Sequence, residues 1–200
     1  MTISTYAELQ TAIGNWLARS DLTTYIPDFI LLFEAEACRK LRVRPTETGV
    51  ALTTTNGVAS LPSDFLGVRR LTWEGSSVRD LEYVTPSELQ TAYPTSTTGT
   101  PAAYTIEGPT VRIRPIDDGT SYRLLYRAKT AAVSGSLNWL FTNHPDAYLF
   151  GSLTEAYMFI RDADNAAIWA ARRDRVFDGI TQVDFHYRGN MRMRVDGATP

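Results

Sequence analysis

His144 and His186, Cys38, and the close pairs Asp117-Asp118 and Asp162 with Asp164 are the side chains here whose types could move a proton, attack a carbonyl or hold a metal. A serine or cysteine hydrolase needs a nucleophile, a base and an orienting group, signalled locally by a pattern such as G-x-S-x-G, and no such pattern occurs. One cysteine and two distant histidines do not make a zinc ligand set. Neither common glycine-rich phosphate loop is present. His144 stands at a helix start beside Pro145, and His186 at a helix end beside Tyr187, where it complements the helix dipole, so both read as structural. Asp117-Asp118 lie in a glycine-containing turn and Asp162 and Asp164 in an interhelical turn, places where aspartate bonds nearby backbone. Trp16 and Trp169 fall on helix stripes and Trp73 on a strand, which predicts core positions; Trp139 sits just ahead of a helix in a loop. The inventory predicts no catalytic, cofactor-binding or metal site, and a protein that works by binding.

The elements that carry these residues begin with the stretch from Asn138 to Arg188, which reads as two amphipathic helices. Asn143 is placed to cap the first, Pro145 to occupy its first turn and Asp146 to meet its positive end. Leu149, Phe150, Leu153, Tyr157 and Ile160 then recur at helical spacing. Asp162 to Asn165 interrupts the pattern, and a second stripe follows: Trp169, Val176, Ile180, Val183 and Tyr187. So short a connection predicts antiparallel packing, and Gly189 is placed to close the second helix.

At the other end of the chain, Thr5-Tyr6-Ala7-Glu8 is a capping box ahead of the stripe Leu9, Ala12, Ile13, Trp16 and Leu17. Pro27 and Asp28 open a second helix whose face is Phe29, Ile30, Phe33, Ala37 and Leu41. This hairpin cannot cover its own apolar stripes, and packed against the C-terminal pair it gives a small bundle.

Between the hairpins the composition turns to Thr, Val and Gly with frequent turn signals. The strands predicted are Val50 to Thr54, Gly57 to Leu61, Val68 to Trp73, Val78 to Val84, Ala103 to Ile106, Thr110 to Arg114 and Tyr122 to Arg127. The last two are expected to pair antiparallel across Asp118-Gly119. Thr85-Pro86-Ser87-Glu88 starts one short helix, and Pro94 to Pro101 reads as a surface loop. The fold class is therefore α+β, a helical bundle from residues 1–44 and 138–188 with an inserted antiparallel β domain, 45–137, and an extended tail, 189–200. In that tail Met191, Met193 and Val195 alternate with Arg192 and Arg194, a pattern that can add a strand to a neighbour's sheet edge.

A hydrophobic share of 44% supports a sizeable core, and a net charge of −2 argues against bulk binding of nucleic acid or membrane surface. Eighteen of the twenty basic residues are arginine, which suits bidentate contacts at subunit interfaces or reflects a GC-rich coding sequence. Arg172, Arg173 and Arg175, more than one solvated helix face needs, are the predicted subunit boundary. Cys38 forms no intramolecular disulfide and reads as a small buried residue. The N-terminus lacks a signal pattern and no stretch approaches eighteen apolar residues, so synthesis and use in the cytoplasm are expected.

Taken together, Thr5-Tyr6-Ala7-Glu8-Leu9, Ile26-Pro27-Asp28-Phe29-Ile30 with Glu34, Leu61-Pro62-Ser63-Asp64-Phe65, Tyr104 to Gly108 with Val111 to Pro115, and Asn138-Trp139-Leu140 with Asn143 to Asp146, Tyr148 and Leu149 give the chain a likeness that covers almost its whole length. It resembles the head-to-tail adaptor (connector) proteins of tailed bacteriophages. The resemblance implies a structural virion protein, not an enzyme. It implies a homo-oligomeric ring, typically dodecameric, on the portal vertex, with the portal and tail or nozzle proteins as partners and genomic DNA passing through unbound. The tail residues Met191, Arg192, Met193, Arg194 and Val195 match the segment that inserts into the portal in such adaptors. A tail-completion or neck protein that binds tail components is the alternative, and a virion-carried cell-wall hydrolase with an acidic pair in a cleft is a more distant one.

Overall fold

The first helix, α1 (Tyr6–Leu17), forms behind a complete capping box. The Glu8 N–H donates to the Thr5 hydroxyl at 3.2 Å and the Thr5 N–H to the Glu8 carboxylate at 3.1 Å. α2 (Ile26–Lys40) starts with proline in its first turn and buries Phe29, Ile30, Phe33 and Ala37, followed by Leu41 at its end. The structure is a computed structural model, which describes residues 3–94 and 97–187. Gly189 and the tail with Met191 to Val195 lie outside the described residues.

The strand-rich unit spans Pro45–Lys129. Its strands are β1 (Glu47–Thr53), β2 (Val58–Ser60), β3 (Phe65–Glu74), β4 (Val78–Asp80) and β5 (Glu82–Tyr83), followed after the helix α3 (Pro86–Ala92) by β6 (Ala103–Glu107), β7 (Thr110–Arg114) and β8 (Ser121–Ala128). They form two four-stranded sheets, ordered β1-β8-β3-β4 and β2-β7-β6-β5. All pairs are antiparallel except β5 with β6. Leu52, Leu71, Tyr122 and Leu124 of the first sheet and Tyr104, Val111 and Ile113 of the second share one apolar core.

Two expectations fail here. The predicted strand Val78 to Val84 is divided between the sheets, with Leu81 buried at the break. β7 and β8 do not pair across Asp118-Gly119, because they lie in different sheets. The connection between them is held elsewhere. Asp118 Oδ1 accepts from the Thr54 hydroxyl at 2.8 Å and the Gly57 N–H at 2.9 Å, and its Oδ2 from the Asn56 N–H at 2.7 Å. Asp117 Oδ2 accepts from Trp73 Nε1 at 2.8 Å, and the Ile116 N–H donates to the Thr97 carbonyl at 2.8 Å. Those bonds satisfy the loop's own polar groups against β1, β3 and the 97–99 loop, so no two-residue hairpin forms. Gly57 takes φ +68 in this turn, and a Cβ there would stand 2.7 Å from the Ile113 carbonyl oxygen.

The helical unit takes in the described residues up to Arg44 and from Thr130. Its C-terminal part holds α4 (Trp139–Asn143), α5 (Pro145–Phe159) and α6 (Ala163–Tyr187). Asn143 does not cap a helix but ends α4, a one-turn helix that Asn138 caps by accepting from the Phe141 N–H at 2.9 Å. The next residue, His144, precedes α5 and makes no side-chain cap bond. α5 is buried around most of its circumference, Tyr148, Gly151, Ser152 and Thr154 along with Leu149 and Leu153, because α1, α2, α4 and α6 all pack on it. Gly151 is required by this packing, since a Cβ there would lie inside the Phe33 ring. Burying each such large side chain contributes roughly 1.5–3 kcal/mol.

The buried face of α6 also differs from the predicted stripe. Ala166, Arg173, Phe177, Ile180 and Asp184 are buried, Trp169 and Val176 are half-buried, and Val183 is exposed. The hydrophobic pattern missed this face because two of its five members are charged. Cys38 is half-buried and unpaired.

Candidate functional site

The arginines of α6 were the residues expected to act together, and the structure gives them three different surroundings. Arg173 points into the helical unit, its side chain only 7% exposed, and donates from Nη1 to Glu36 at 2.6 Å and from Nε to Asp174 at 3.0 Å. Lys40 closes the set, 3.0 Å from Glu36 and 3.3 Å from Asp174. Two cations and two carboxylates thus tie the C-terminal half of α2 to the middle of α6. Burial works to raise the Asp174 carboxyl, but the bonds from Arg173 and Lys40 outweigh it and hold it below the usual aspartate range. Neighbouring Glu155 is raised, first by burial and then by Glu36, with Arg173 offsetting part of the shift. A second clip joins α6 to the segment that follows α2: Asp184, 6% exposed, accepts from the Arg44 backbone N–H at 3.0 Å and from its Nε at 3.1 Å.

Arg172 stands outside this network. Its guanidinium lies 4.8 Å from the Trp169 ring centroid and 5.9 Å from that of Phe150. Trp169 in turn stacks on Phe150 at 5.7 Å and meets Trp16 edge-on at 5.3 Å. Trp16 is 43% exposed, so the core position expected of it is not observed; it and half-buried Trp169 form an aromatic and cationic edge on the surface of the bundle. Trp73 is in the core, and Trp139 opens α4, half-buried against the helical core. Arg175 is exposed.

A polar network inside the bundle was not anticipated from the sequence. Glu34 Oε1 accepts from the Val133 N–H at 2.7 Å and the Tyr148 hydroxyl at 3.0 Å, and that hydroxyl accepts from Asn138 Nδ2 at 2.7 Å. Burial pushes the Tyr148 phenol well above its ordinary value, with the Glu34 charge adding to the shift. The network fastens the 130–138 segment to α2 and α5, which is structural work. Its only advance signal is an asparagine just ahead of a helix.

The acidic pairs behave as turn residues. Asp118 is held below the usual aspartate range, chiefly by the Gly57 N–H and the Thr54 hydroxyl. Asp162 is lowered by the Asn165 side chain and N–H in the turn before α6. Tyr122, whose hydroxyl donates to the Asp117 carbonyl at 3.0 Å, is pushed up to about 12, first by burial. His144 lies beside the Trp139 ring, with centroids 6.5 Å apart. The side chain of His186 lies outside the described residues. Among the described residues no three His, Cys, Asp or Glu side chains group to hold a metal ion, and no described helix is long and apolar enough to cross a membrane.

The fold is α+β, with helices at both ends of the chain and an inserted strand unit. A family model described as SU10 adaptor protein matches residues 4–195. The chain belongs to that family, a family of phage head-to-tail adaptors, and is a phage adaptor structural protein of the virion. No curated protein matches it.

Proposed function

We propose that copies of this chain form a ring on the portal vertex, join the capsid to the tail, and surround the path by which the genome leaves. The observation that carries this reading is the adaptor-family match across residues 4–195, which takes in both helical hairpins and the inserted strand unit. The ring is a homo-oligomer that matches the portal in copy number, twelve in the resemblance drawn above, and its further partners are tail or nozzle proteins. A net charge of −2 suits a channel that passes DNA without holding it, since every phosphate contact would add affinity that release must overcome.

Two surfaces have assigned roles in this reading. Met191, Arg192, Met193, Arg194 and Val195 dock on the portal as an added strand. Arg172 and Arg175, exposed on α6, contact the neighbouring subunit, while Arg173 supports them from inside by fixing α6 on α2. Exposed Trp16, Ile168 and Val183 supply apolar area at such a boundary.

Native mass spectrometry of the chain alone, and then with the portal from the same genome, tests the proposal. Adaptor copies adding to the portal ring in a one-to-one ratio are expected, and deletion of residues 189–200 should weaken that attachment with the fold intact. Absence of any complex with portal overturns portal docking and directs the search to tail proteins.

A further inference from the structure

The sheet ordered β1-β8-β3-β4 turns Tyr122, Leu124 and Tyr126 of β8 into the core and Arg123, Leu125 and Arg127 to its other face. Register sets Arg123 between Ala51 and Thr72, and Arg127 between Glu47 and Gly67. The small neighbours leave the guanidiniums room to lie along the sheet. Arg123 Nη2 is 3.9 Å from where a Cβ on Gly49 would stand, and Arg127 Nη2 is 3.9 Å from the same point on Gly67.

Arg69 and Arg70 of β3 are neutralised at home. Arg69 reaches Glu47 at 3.1 Å and Arg70 lies 3.7 Å from Asp80. Glu47 is the residue opposite Arg127 in register, yet its carboxylate is taken by Arg69. Among the described residues Arg123 and Arg127 enter no ion pair, and Arg127 Nε is buried without an acceptor. Two arginines without an ion pair thus flank half-buried Leu125, their Cα atoms about 13 Å apart along one strand.

We propose that this face docks an extended acidic segment of a partner protein, with carboxylates four residues apart on Arg123 and Arg127 and an apolar residue midway over Leu125. An extended chain repeats every second residue on one face, so a glutamate, an apolar side chain and a second glutamate at i, i+2 and i+4 match the three side chains of β8. The guanidinium fork takes a carboxylate through two parallel hydrogen bonds. Duplex DNA fits less well, because its charges come about every 1.7 Å, whereas this strand offers two arginines separated by an apolar side chain. This chain's own tail is excluded by charge, since Arg192 and Arg194 would face arginines. The inference does not rest on the ring reading, and its test contains no portal.

The test titrates the full chain, labelled with nitrogen-15, with the peptide GTETVTETG, and follows amide shifts. Saturable shifts at Gly49, Gly67 and Leu125 are expected. Affinity should fall at least about tenfold, the scale of one charged hydrogen bond, for a peptide with glutamines in place of glutamates and for the double variant Arg123→Gln, Arg127→Gln. Arg123→Lys, which keeps the charge and loses the fork, should fall between, and Arg172→Gln should change nothing. Equal binding by the glutamine peptide or the double variant, shifts confined to other strands, or tighter binding of a short DNA duplex on this face would each overturn the proposal.

Discussion

The helical unit and the strand unit use their charges in opposite ways. In the helical unit the paired charges join residues more than a hundred positions apart, Glu36 with Arg173 and Arg44 with Asp184. In the strand unit the turn carboxylates Asp117 and Asp118 enter no ion pair among the described residues; they accept from backbone N–H groups, threonine hydroxyls and an indole. The difference follows from where each architecture leaves its polar groups. A helix satisfies its backbone internally, so the remaining question is how two helices register, and a few long-range ion pairs answer it. A sheet leaves the backbone of its turns unsatisfied, and short carboxylates supply the missing acceptors. Among the described residues Arg123 and Arg127 of the strand unit and Arg172 of the bundle then enter no ion pair.

The strongest break in this comparison is Phe33→Ala. Phe33 is fully buried, 4.9 Å from the Tyr148 ring and 6.1 Å from that of Phe177, and its loss should cost about 3–5 kcal/mol. Hydrogen exchange should show the loss of protection in residues 3–44 and 130–187. An equal loss across 45–129 would mean that the two units do not keep separate cores.

Next comes Arg173→Ala, which leaves Glu36 and Asp174 with Lys40 as their remaining cation and should cost roughly 1.5–3 kcal/mol in a denaturant titration. Arg172→Ala removes only a surface contact over Trp169 and should cost below about 1 kcal/mol. Equal losses for these neighbours would remove the distinction between a structural arginine and a surface one.

The smallest signal is a pair of opposite pH slopes. The folded Asp118 carboxyl is lowered, so its stabilisation is present above the ordinary aspartate value, about 3.9, and is lost as pH falls through the folded value. Glu155 is raised, so ionising it weakens the fold above its folded value, and that cost disappears below the ordinary glutamate value, about 4.3. Asp118→Asn should therefore lower the thermal midpoint at pH 7, and Glu155→Gln should raise it. Both differences should shrink in acid. Parallel shifts of the same sign would contradict the assignment of the two carboxyls.

Much of the secondary structure was legible because its signals are local. The box Thr5 to Glu8, its counterpart Thr85 to Glu88 and the stripe Phe29, Ile30, Phe33, Ala37 and Leu41 each involve residues within a few turns, and each forms as read. The helix opening at Pro145 forms as read, but Asn143 does not cap it, and the short helix α4 ahead of it was missed because Asn138 and Asn143 are equally good caps in isolation. The arginine cluster was visible as three near-consecutive residues, but not that the middle one faces inward, since Glu36 lies 137 positions away.

What the amino-acid order determined by itself is the α+β plan: helices at both ends and strands between. Periodicity and capping are set by neighbours along the chain, so no knowledge of contacts is needed to read them. Only the tertiary structure decided that β7 and β8 part into different sheets, that Arg173 and Asp184 are buried, that Trp16 is not, and that Arg123 and Arg127 share one sheet face and enter no ion pair among the described residues. Each of these depends on which distant group supplies a partner, and pairing across a hundred residues is chosen by packing and polar satisfaction, not by spacing.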